Sequence, residues 1–70
     1  MGREASFRSG HAEVFDPKTD ATYIGSTSLA GRTTSIRGHR RLEGGELGEA
    51  VDMTWVGAVV VVRWLDAQAS

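Results

Sequence analysis

The densest apolar stretch of the chain runs from Met53 to Leu65, with Trp55 and Trp64 on either side of four consecutive valines, Val59 to Val62. β-Branched and aromatic side chains suit a pleated surface, so this stretch predicts extended structure. A straight strand from Val51 to Leu65 would run about 50 Å, longer than strands usually are, and Gly57 is the expected break, as a bulge or bend. Before Gly57, Val51, Met53 and Trp55 alternate with Asp52 and Thr54, giving one buried and one wet face. After it, Ala58, Val60, Val62 and Trp64 line one face while Val59, Val61 and Leu65 line the other. That second half is apolar on both sides. On this strand reading the two tryptophans have opposite parity, so one faces the core and the other a partner.

A helix over about residues 47–66 is the competing reading. Leu47, Val51, Trp55, Ala58, Val62 and Leu65 fall at helical spacing. The opposite face would then carry Val56, Val59 and Val60, and valine is a poor helix former, which favours the strand.

Further upstream, Ala12-Glu13-Val14-Phe15 and Ala21-Thr22-Tyr23-Ile24 bracket Asp16-Pro17-Lys18-Thr19-Asp20. Asp followed by Pro suits the first two positions of a type I turn, so a β-hairpin is predicted here. Gly25–Gly31 reads as a small, hydroxyl-rich loop. Arg32–Arg37 reads as a weak, polar edge strand. Gly38–Gly48, with four glycines, reads as mostly irregular. The expected fold is mainly β: a small antiparallel sheet or barrel with an N-terminal hairpin and a long, bent C-terminal strand. Residues 1–10 are expected to form an N-terminal arm, and 11–70 a single small domain.

Composition sharpens the problem of shelter. In a 70-residue chain the core supplies only about 3–5 kcal/mol. There is no cysteine, so neither a disulfide nor a thiolate metal site can add to it. A strand buried on both faces needs cover on both, and the remaining large apolar residues suffice for one. The second cover is expected from another copy or another protein; the alternative is a tight barrel with the arm folded over its exposed side. The candidate interface is therefore Trp55, Val59, Val61, Trp64 and Leu65.

The net charge is −1, but residues 1–41 carry seven basic against four acidic residues and residues 42–70 one against five. Such polarity suits head-to-tail meeting of copies. The cationic cluster Arg32, Arg37, His39, Arg40 and Arg41 is the candidate nucleic-acid contact, since arginine forks match phosphate. Glu43, Glu46 and Glu49 follow directly, however, and no aromatic is interleaved for base stacking.

Candidate chemistry is sparse. Gly44–Gly48 lacks the spacing and lysine of a phosphate loop. His11 and Glu13 share a strand face, but two ligands are too few for a metal. Asp16 and Asp20 are explained as turn residues, and no serine has a nucleophile context. His11 or His39 would need a pocket with carboxylates to act in catalysis. Arg63 is placed to pair with Asp66 or to stack on an indole.

The eight apolar residues from Trp55 to Val62 are too few to span a bilayer, and no secretory leader is read at the N-terminus. Met1-Gly2-Arg3-Glu4-Ala5-Ser6 matches a loose myristoylation pattern. Seven arginines to one lysine and no asparagine suggest a GC-rich, bacterial or bacteriophage gene and discount lipidation. The expectation is a non-enzymatic structural or accessory subunit, cytoplasmic or in a virion, that works by protein–protein assembly. It needs no cofactor, membrane or small-molecule substrate. A small nucleic-acid-binding or regulatory protein using Arg32–Arg41 is the alternative.

Overall fold

A computed structural model describes residues 7–66. They form one open antiparallel sheet of five strands and no helix: β1 (Phe7–Asp16), β2 (Ala21–Ala30), β3 (Thr33–Arg41), β4 (Leu47–Val56) and β5 (Val61–Trp64). The spatial order is β4-β3-β2-β1-β5. Four strands meander through short turns, and the fifth returns to the free edge of the first.

The β1–β2 hairpin forms where the turn chemistry places it. Asp16 Oδ1 accepts the Lys18 N–H at 3.0 Å, and the Asp20 N–H donates to the Asp16 carbonyl at 2.8 Å. Asp20 takes up the left-handed conformation, φ 59°, that aspartate tolerates in turns.

Three expectations give way. The loop over Gly25–Gly31 shrinks to the turn at Gly31 and Arg32, because β2 continues to Ala30. Of the segment read as the edge strand Arg32–Arg37, residues 33–37 belong to β3, an interior strand paired on both sides rather than an edge. The irregular stretch expected over Gly38–Gly48 is confined to residues 42–46. Gly25 and Gly38 sit opposite each other on β2 and β3, in a row completed by Ala12 and Val51. A Cβ on Gly38 would be driven into the Ile24 carbonyl, and one on Gly25 into that of Arg37. Glycine serves here as the point where two strands can bend closely past each other. The arm also shortens: residues 7–10 are part of β1, while 1–6, with the lipidation pattern, lie outside the described residues.

The break at Gly57 (φ 98°) occurs where expected, but it does more than bend a strand. The two halves of the C-terminal stretch become β4 and β5, at opposite edges of the sheet. Register shows what this requires. Val56 lies level with Thr33, Ala30 and Phe7, whereas Val61 lies level with Phe15. In a flat sheet those corners would be four strand spacings and eight residues (15 − 7) apart, more than about 30 Å. Five Cα steps reach at most about 18 Å. The sheet must coil until the corners meet, and it does: Trp55 Nε1 of β4 donates to Asp16 Oδ2 of β1 at 3.1 Å.

Coiling creates an inner layer from a single sheet. Val14, Ala21, Tyr23 and Ile36 form the buried cluster, with Val51, Met53, Trp55, Val60 and Val62 packed against it. Tyr23 and Trp55 meet with ring centroids 5.7 Å apart, tilted by 48°, an arrangement aromatic pairs favour. Thr27 is buried among them and satisfies its hydroxyl on the Gly25 carbonyl at 3.1 Å.

Candidate interaction surface

Strand alternation decides what each candidate residue can do. On β1, β2 and β3 the buried inner positions include Ala12, Val14, Tyr23, Thr27, Thr34 and Ile36. The outer face carries the intervening residues and is rich in hydroxyls and charge. Ser35 and Thr54 share a hydrogen bond at 3.1 Å, and Arg37 Nη2 meets Asp52 at 3.4 Å. Glu13 holds two arginines: Arg41, reaching across β2 to donate from Nη1, and Arg63 of β5 at 3.5 Å.

The sequence-local cationic cluster is therefore dispersed. Arg37, His39 and Arg41 lie on the outer face, with Arg37 and Arg41 engaged by Asp52 and Glu13. Arg40 has the opposite parity. Arg32 is in the turn between β2 and β3, beside an apolar recess of ≈ 380 Å³ lined by Leu29, Val60, Val62 and Trp64. Contiguity in sequence was a poor guide because neighbours on a strand point to opposite sides. His11 and His39 are both exposed and sit on β1 and β3 with β2 between them, so they do not share a carboxylate-lined pocket. Among the described residues no group of three His, Cys, Asp or Glu is placed to hold a metal ion, and no helix is long and apolar enough to cross a membrane.

Both tryptophans turn inward, which corrects their expected opposition. Residues 57–60 carry the chain between edges and reset the parity, so Trp64 lies level with Ala12 on the same face as Trp55. Both are half-buried. Arg63 neither pairs with Asp66 nor stacks on an indole. Arg8 takes both roles, its guanidinium 4.4 Å from the Trp64 ring centre and its Nη2 3.7 Å from Asp66 Oδ1. Gly10 leaves the space that the Asp66 carboxylate occupies.

The remaining candidates are exposed. Val59 and Val61 retain 50% and 60% of their surface, and Leu65 38%. Val61 lies on the outer face opposite the half-buried Phe15. Val56, at the end of β4, is more open still at 74%. Beside them run two strand edges without a neighbour among the described residues, one of ten residues (β4) and one of four (β5). The β4 edge was not visible in the sequence, because residues 51–65 read as one strand. Its available sign was the wet, alternating pattern before Gly57 against the two-sided apolar pattern after it.

No protein-family model matches this chain, and neither a curated protein nor a solved structure is significantly similar to it.

Proposed function

We propose that this chain is a non-enzymatic structural or accessory subunit that acts by protein–protein assembly through its C-terminal third. The observation that supports the reading is the placement of its most apolar segment. Val56, Val61 and Leu65 stay exposed along the two rims of the sheet and Val59 on the connection between them, beside backbone that has no partner strand among the described residues. Rims of this kind are where proteins pair with further strands. The narrower reading, a component of a bacteriophage particle, draws on small size and arginine-rich composition. The nucleic-acid reading draws less support from the geometry, since Arg37 and Arg41 already face acids and Arg32 and Arg40 lie elsewhere.

Sedimentation of the purified chain across a concentration series tests the proposal. The expected result is a species heavier than the 7.5 kDa monomer that shifts toward monomer at high dilution. A monomer throughout, indifferent to Val59→Asp and Val61→Asp, would remove self-assembly from the reading.

A further inference from the structure

Two backbone hydrogen bonds set the phase of the entire sheet. Leu65 N–H donates to the His11 carbonyl at 2.8 Å, and Gly57 N–H donates to that of Arg32 at 2.6 Å. In antiparallel pairs, hydrogen-bonded and non-hydrogen-bonded positions alternate. Val51, Met53 and Trp55 therefore direct their backbone groups at β3, whereas Ala50, Asp52, Thr54 and Val56 direct theirs outward. On β5 the outward positions within the strand are Val62 and Trp64. The outward residues of β4 carry their side chains on the outer face, and those of β5 carry theirs on the inner face.

This parity discriminates among pairings. Antiparallel residues directly opposite each other share a face. Pairing β4 with β5 of another copy in this way would run the outer face of one into the inner face of the next. Pairing β5 with β5 would use two outward residues on each strand. Pairing β4 with β4 keeps both faces continuous and uses four.

Resting on the assembly reading, we infer that the β4 edge is the docking surface for a second copy of this chain, paired antiparallel about a two-fold axis at Met53. In that register Thr54 stands opposite Asp52 of the other copy, Ala50 opposite Val56, and Val51 opposite Trp55. Four hydrogen-bonded pairs contribute two N–H···O bonds each, eight in all. Ala50 covers the most exposed valine, and the half-buried Val51, Met53 and Trp55 gain a neighbour. Each Asp52 retains its own Arg37 at 3.4 Å, so no uncompensated carboxylate enters the seam. Edges meant to stay solitary are usually short or guarded by lysine, proline or a bulge. The ten residues of β4 include no lysine or proline, and its bulge, where Gly48 and Glu49 oppose Arg40, lies next to the proposed seam of residues 50–56 but outside it.

The chain has no cysteine, so single introduced cysteines report the register. Met53→Cys places two sulfurs across a non-hydrogen-bonded pair with Cα atoms about 4.5 Å apart, within disulfide range. Mild oxidation is expected to convert most of this variant to a covalent dimer. Ala50→Cys, six residues from its own copy in this register, should yield at least tenfold less. Thr54→Pro removes an outward N–H while leaving the β3–β4 ladder whole, and is expected to abolish association with an unchanged circular dichroism spectrum. Should that variant misfold, the two cysteine variants decide the matter. If the chain associates but Met53→Cys links no better than Ala50→Cys, the β4 pairing is overturned and assembly survives through another surface. A strict monomer, with no crosslinking by Met53→Cys, overturns both the pairing and self-assembly.

Discussion

The interior strands and the rim strands divide the labour contrary to their composition. Among the described residues every buried side chain, Ala12, Val14, Tyr23, Thr27, Thr34 and Ile36 included, belongs to β1, β2 or β3. β4 and β5 hold both tryptophans and several valines, yet their residues are all half-buried or exposed. The more polar part of the chain is the core, and the greasiest part is the border. Position in the strand order explains it. An interior strand is flanked on both sides and sits at the bottom of the coil, so even a threonine is enclosed there. A rim strand is flanked on one side, and its apolar residues are left half-covered whatever their hydrophobicity. Apolar demand and apolar burial are therefore different properties, one carried by the residue and the other conferred by topology.

This contrast predicts a gradient of mutational cost. At the interior, Ile36→Ala removes a side chain only 1% exposed and should cost about 2–4 kcal/mol. That approaches the entire stability of a domain this small, so urea denaturation should find this variant largely unfolded at room temperature. Between the regions, Trp55→Phe keeps most of the packing on Tyr23 but takes the indole donor from the largely buried Asp16. A loss of about 1–3 kcal/mol is expected from a carboxylate oxygen left without its partner, read as a lower denaturation midpoint. A cost below that of an ordinary surface substitution would show that the coil is held by packing alone. At the rim, Val61→Ala should change the stability of the isolated chain by no more than about 0.5 kcal/mol. If it rivalled Ile36→Ala, the division between interior and rim would be wrong.

What was legible in the sequence follows the same division between local and long-range causes. The Asp16-Pro17 turn and its hairpin were readable because their chemistry lies within five residues. The break at Gly57 was readable because no strand runs so far. Gly25 and Gly38 misled, since glycine inside a strand looks like a loop until its opposite number is known, and here the two glycines answer each other. The fate of β4 and β5 depended on which edge each reached, a matter of pairing between residues far apart. The tryptophans were misassigned for that reason: parity counted through residues 57–60 is meaningless once those residues change edges. Of the candidate interaction surfaces, the dispersed arginines were the part that linear proximity misrepresented, while Val59 and Val61, set apart by their two-sided apolar stretch, are exposed.

The return of β5 to β1 also bears on how the molecule is put together in time. Ala12 and Trp64 meet although 52 residues (64 − 12) separate them, whereas each hairpin of the meander joins strands a few residues apart. Closing a loop of that length costs on the order of 1–2 kcal/mol more than closing a ten-residue one, so local hairpins assemble ahead of it. Until the last strand arrives, β1 is itself a border, and the side of Val14 that Val62 will cover faces water. The first strand thus acquires its interior status only on completion, from a segment whose own Val61 stays open to water.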